Sequence, residues 1–343
     1  MNKLFFRILV LLAAVAALGG CSTAQVLNSL TTDTGYTVAS NIPYDSAYNL
    51  RLDVYTPNNV QNAPVVVFFY GGRWASGSKD QYKFVGQALT SQGFVTVIAD
   101  YRKYPDVRFP AFVQDGANAV RWAHDNIGRY GGDPAKLFIM GHDAGAHIAA
   151  MLALDPEFLK AAGDSNRSWL KGMIGLAGPY DFMPITAPDL RDLFGPPDQF
   201  AQSQPIIYVD GKNPPLLLMT GMDDDSVLPK NTLALASAVS KAGGVVETVT
   251  YPKMSHAMIL ATLAAPLRKN SDVLAYVTSF IHRRSVSAPA SQDENGATPD
   301  DMQVQPLDVV PPPASTTEVQ LPPPTPLPAP APVPPSAPAP GNP

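Results

Sequence analysis

Cysteine is almost absent from this chain: Cys21 is the only one among 343 residues. No disulfide can form within one chain, so a hydrophobic core must hold the fold even in an oxidising compartment. Charge is scarce as well, at 15% of residues with a formal net charge of -5, and the basic residues are scattered. Phosphate binding needs a concentrated basic surface, so a nucleic-acid partner is excluded. The N-terminal apolar run, Ile8 to Leu18, falls well short of the ~20 residues that span a bilayer. There is no GxGxxG and no P-loop, and no histidine pair or carboxylate cluster has ligand spacing apart from Asp223 to Asp225. Neither a cofactor nor a metal is expected.

What is present divides the chain in three. Lys3 and Arg7 precede the apolar run, and small residues then lead to Cys21, the layout of an export signal over residues 1–22. Leu18-Gly19-Gly20-Cys21 resembles a bacterial lipobox, which implies a lipidated Cys21 and a membrane anchor in the cell envelope. Ser22, rather than aspartate, after the cysteine implies by the same resemblance the outer membrane, facing the periplasm. At the other end, residues 285–343 are dominated by proline, alanine and serine and cannot bury enough apolar surface to fold. An extended polyproline spacer is expected there; a partner for it is not identifiable. Chemistry must lie in residues 33–284.

Within that middle, apolar runs of strand length alternate with amphipathic stretches. Strands are predicted at Pro64 to Tyr70, Phe94 to Asp100, Lys136 to Met140, Met173 to Ala177, Leu216 to Thr220 and Val245 to Tyr251. Helices are predicted at about Gln81 to Ser91, Ala111 to Asn126, Ala144 to Leu154, Lys230 to Ala242 and Asp272 to His282. Continuous apolar strands imply burial on both faces. The fold class is therefore α/β, a doubly wound, mostly parallel sheet with helices on both faces. Ligands bind such a sheet beyond the carboxyl ends of its strands.

Two glycine-rich turns sit at such ends. Gly141-His142-Asp143-Ala144-Gly145 lies between a strand and a helix, the context of the nucleophile elbow GxSxG, with Asp143 at the serine position. Gly71-Gly72-Arg73 follows the strand PVVVFFY. In the elbow fold that loop supplies backbone N–H groups which, with the N–H of Ala144, stabilise an oxyanion. A triad then needs an acid and a histidine, in that order along the chain. Of five histidines, His124, His142, His147 and His282 are more simply explained by packing or capping, whereas His256 follows a strand in a loop beyond the sheet edge. Asp223, Asp224 and Asp225 follow the preceding strand, and position favours Asp224 as the acid.

The stretches YGGRW, DYRKYP, GGDP, GHDAGAH, AGPYD and GMDDDSV, with the final His256, resemble the HGGxW carboxylesterases of the α/β-hydrolase fold. That clan includes kynurenine formamidases and the prenylcysteine methylesterase-like and feruloyl-esterase-like proteins. The resemblance runs from about Tyr44 to His282, implies hydrolysis of an ester-like small molecule, and maps the acid to Asp224. Tyr70 replaces the histidine of HGG, and Asp143 replaces serine.

The second change alters the chemistry. A carboxylate that attacks an ester carbonyl is a far better leaving group than the alcohol, its reference pKa being about 3.9, so the intermediate collapses backwards. Three readings follow: a carboxylesterase-type hydrolase in which Asp143 and His256 activate water directly, a binding or scaffold protein that has lost covalent catalysis, and an Asp-nucleophile hydrolase acting on an epoxide or alkyl halide. The last type usually carries an aromatic residue after the aspartate, where this chain has Ala144, and a larger cap than residues 182–213 allow.

The lipobox has a direct test. Cys21→Ala is expected to remain an unprocessed precursor while the parent protein partitions with membranes. Normal processing of the variant, with soluble release, would show the anchor to be misread.

Overall fold

The computed structural model describes residues 23–286. The signal segment with Cys21, and the tail from residue 287 onward, lie outside the described residues. The chain divides into two units, Met1–Ala290 and Ser291–Pro343, and every described residue belongs to the first.

Eight strands form one sheet: β1 (Tyr36–Asp45), β2 (Leu50–Pro57), β3 (Ala63–Phe69), β4 (Val95–Ala99), β5 (Gly132–His142), β6 (Leu170–Leu176), β7 (Leu216–Gly221) and β8 (Val246–Tyr251). Their order across the sheet is β1-β2-β4-β3-β5-β6-β7-β8. β1 and β2 are antiparallel to their neighbours, and all later pairings are parallel. The expected class is therefore observed. All of the residues from Val65 to Phe69 are fully buried, which is what a β-branched and aromatic run achieves when helices cover both faces.

Helices α1 (Thr23–Ser29), α2 (Lys83–Thr90), α3 (Ala111–Asn126), α4 (Ala144–Leu154), α5 (Pro156–Ala162), α6 (Pro188–Leu193), α7 (Lys230–Lys241), α8 (His256–Ala261) and α9 (Val273–Ser285) connect or flank the strands. Two differences from the sequence reading matter for function. The fold starts before Asp33, because α1 buries Leu27 in the core. His256 is not in a loop but opens α8, with Ser255 at its N-cap position.

The connections fix where a ligand can sit. β3 leads through α2 to β4 on one side, and the chain then crosses back through α3 to β5 on the other side of β3. Strand order reverses between β3 and β5, and in an open α/β sheet that switch point is where a crevice forms.

α4 is buried along its whole length, including His147. The His147 ring is satisfied inside the core: Nε2–H donates to the Ser203 carbonyl at 2.8 Å, and Nδ1 accepts from the Trp74 indole at 3.3 Å. Burial lowers its pKa to about 4. His142, at the end of β5, is lowered to about 4 by burial and by the neighbouring His256. Both are depressed below their ordinary value of 6.5, so between these values the unfolded chain binds more protons than the folded one. Stability is therefore expected to fall as pH drops from 6.5 toward 4, by on the order of a few kcal/mol in total. Urea midpoints at pH 7, 5.5 and 4 check this, and a flat profile would mean that these rings accept protons without unfolding.

Candidate active site

Asp143 occupies the turn between β5 and α4 with φ 53° and ψ -122°, a backbone conformation that side-chain-bearing residues rarely adopt. Strain of this kind costs on the order of 1–3 kcal/mol and must be held by its surroundings. The flanking glycines hold it. A methyl on Gly145 would overlap the Phe69 carbonyl at the end of β3, and one on Gly141 would overlap the backbone of Gly145. The turn therefore packs directly on β3 and pushes the Asp143 side chain outward.

The loop after β3 meets that side chain. Gly72 (φ 125°), Arg73 (φ 54°) and Trp74 (φ 56°) all have positive φ, and the turn closes through the amides of Ala75 and Ser76 on the Gly72 carbonyl, both at 3.0 Å. The N–H groups of Gly72 and Arg73 donate to Asp143 Oδ2 at 2.9 and 3.1 Å. The carboxylate thus fills the hole that these donors form. Gly71 contributes space: a Cβ there would stand 2.7 Å from that of Asp143. Ala144, expected as a third donor, makes no hydrogen bond to the carboxylate. Tyr70 fixes the loop from behind, its hydroxyl donating to Asp100 Oδ1 at 2.7 Å and its ring stacked between Tyr82 and Tyr101.

Across the crevice, His256 Nδ1–H donates to Asp224 Oδ2 at 2.9 Å. Asp224 Oδ1 accepts from the amides of Ser226 and Val227 at 3.0 and 2.8 Å. Of the three consecutive carboxylates only Asp224 is buried, and Asp223 and Asp225 face solvent. Burial works against ionisation of Asp224, but the His256 hydrogen bond and the Val227 amide outweigh it and lower its pKa. Burial also works against the His256 imidazolium, yet the Asp224 hydrogen bond and the charge of Asp143 raise its pKa overall. His256 therefore adds stability below its unfolded pKa, lost as pH rises through the higher folded value.

His256 Nε2 stands 3.9 Å from Asp143 Oδ1, too far for a hydrogen bond. The three expected triad positions thus converge, with a gap between His256 and Asp143. One supporting residue was not recognised from sequence: His142 donates Nε2–H to the His256 carbonyl at 3.0 Å and so helps place α8. Its position inside the elbow was the available signal.

A cleft of about 880 Å³ opens beside Asp143 and His256, lined among others by Trp74, Phe182, Ile185 and Leu190. α6 forms part of its wall and is strapped down twice. Arg73 holds Asp189 through two bonds at 2.8 and 3.1 Å, and Arg108 holds Asp192 at 2.7 Å.

Known proteins agree with this architecture. A probable isoprenylcysteine alpha-carbonyl methylesterase of Arabidopsis thaliana is 27% identical over 68% of this chain and 54% of its own length. Esterase LipQ of Mycobacterium tuberculosis is 30% identical over 71% of this chain and 61% of its own length. The chain thus spans little more than half the length of these two relatives. A truncated carbohydrate esterase from gut microbiota superposes with TM-score 0.65 at 22% identity, covering 74% of this chain and 98% of that one. The Pyrobaculum calidifontis esterase gives the same TM-score and identity over 77% of this chain and 91% of its own, so the fold is that of the α/β hydrolases. The profile of the BD-FAE family matches residues 52–239. Since that span is more than half of the chain and runs from β2 through the elbow into α7, the protein belongs to the BD-FAE family, among the α/β-hydrolase carboxylesterases.

Proposed function

We propose that this chain is a hydrolase of the carboxylesterase type, acting on a carboxylic ester or related acyl bond of a small molecule. One observation carries the reading: His256, oriented by buried Asp224, presents Nε2 to the cleft 3.9 Å from Asp143 Oδ1. A gap of that length suits a bridging water. His256 takes the proton of this water, Asp143 Oδ1 orients it, and the oxygen attacks the acyl carbon; as the acyl C–O bond then breaks, His256 returns that proton to the departing alcohol oxygen, leaving the carboxylic acid. The substrate's carbonyl oxygen competes with Asp143 Oδ2 for the Gly72 and Arg73 amides. Acyl turnover is restrained by that competition.

The same two hydrogen bonds favour a second reading. With Oδ2 held and Oδ1 free, Asp143 is arranged to displace a leaving group from saturated carbon, as in an epoxide or alkyl halide. Oδ1 would form an alkyl ester whose carbonyl oxygen, Oδ2, already lies against two donors. Water deprotonated by His256 would then attack Cγ and release the alcohol.

For the residues outside the described region we propose export and lipid anchoring at Cys21, with the domain in the cell envelope at the outer membrane, and a spacer that begins after α9, which extends to Ser285.

Asp143→Ser separates the readings. It empties the hole and restores a hydroxyl, so hydrolysis of short p-nitrophenyl esters is expected to rise by about three orders of magnitude or more. The gain should vanish in Asp143→Ser, His256→Ala. A well-folded Asp143→Ser protein without ester turnover points to a binding or scaffold role. Native activity on an epoxide or alkyl halide that Asp143→Ser abolishes, with ¹⁸O from labelled water entering Asp143 in a single turnover, establishes the carboxylate nucleophile.

A further inference from the structure

The reacting groups have a second cavity behind them. A pocket of about 310 Å³ shares Gly72, Asp143 and His256 with the large cleft but extends the other way. Its far walls are Leu27 and Ala24 of α1, Tyr82, Phe84, and Leu260 and Ala261 of α8. Leu27, Phe84, Leu260 and Ala261 are buried apolar side chains. The polar groups on its wall are those of the reacting centre, together with His142 and the Tyr82 hydroxyl. His142 Nε2 is already committed to the His256 carbonyl.

We propose that this pocket binds an apolar chain of the substrate, on either the acyl or the alcohol side of the scissile bond, and that Leu27 sets its depth. A buried polar substituent would find few partners away from the reacting centre, so the chemistry selects a hydrocarbon group. At roughly 30 Å³ per water-sized group, the volume admits a chain of about six carbons with room to move. The wall is a deliberate part of the fold. A seven-residue helix is not stable alone, and α1 is pinned by Asn28, whose Nδ2 donates to the Asp80 carbonyl at 2.7 Å while its Oδ1 accepts from the Phe84 amide at 3.1 Å. The amide bound by Asn28 thus belongs to a pocket residue.

The test has two arms, of which only the first rests on the esterase reading. In the Asp143→Ser background, kcat/KM is measured for p-nitrophenyl esters from acetate to octanoate, varying the acyl side, and for alkyl acetates, varying the alcohol side. One series is expected to gain about fourfold per methylene up to about six carbons. Leu27→Trp should cut the six-to-two-carbon ratio in that series more than about tenfold, and Leu27→Ala should move the optimum to longer chains. Opposite directions from one position distinguish a pocket wall from general damage. The same ratio in all three proteins would overturn the proposal. If Asp143→Ser proves inactive, the esterase reading fails but the pocket is still tested: 1-hexanol added to the wild-type protein should shift the methyl NMR signals of Leu27 and Leu260. Shifts at neither residue would overturn the proposal in that arm.

Discussion

Two backbones meet at the centre of this molecule with no side chain between them. The turn after β5 lies on the end of β3; Gly71 and Gly145 leave the space in which they touch, and Gly141 lets the turn close on itself. That contact fixes the strained conformation of Asp143 and points the amides of Gly72 and Arg73 at its carboxylate. It also explains why the site lies between these two strands and not elsewhere along the sheet, since strand order reverses there. Cleft, pocket and His256 are arranged around that one point.

The pairing of charges around it has a further effect. His256 lies between Asp224, 2.9 Å away at Nδ1, and Asp143, 3.9 Å away at Nε2. Both carboxylates favour the imidazolium, the form that cannot accept a proton. A serine at position 143 would remove one of those charges. An aspartate at this position therefore acts on the His256 imidazole as well as on the loop amides that hold its own carboxylate.

Much of this was legible beforehand, and the limits have physical reasons. Helices α3 and α4 begin and end at the predicted residues, α3 because its apolar spacing is sustained over 16 residues and α4 because an almost unbroken apolar run follows the glycine-flanked turn. Continuous apolar runs gave the six parallel strands within a few residues. β1 escaped because it is an edge strand whose residues mostly face solvent, and β2, which pairs with it, alternates charged with apolar residues. The short helices α5 and α6 each start with a proline, which reads as a turn until the helix after it is seen. Asp224 and His256 could be placed by their positions after strands. The rotamer that carries Asp143 Oδ2 onto two amides could not, because it depends on the relative position of loops seventy residues apart.

The straps on α6 have a consequence of their own. Both are ion pairs between half-exposed side chains, Arg73 with Asp189 and Arg108 with Asp192. Dissolved ions screen such pairs over a Debye length of about 8 Å at physiological ionic strength. One of the two arginines, Arg73, also donates its backbone amide to the Asp143 carboxylate. The width of the cleft and the order of that loop therefore respond to the salt concentration of the medium, so that dissolved ions tune access to Asp143 without touching it.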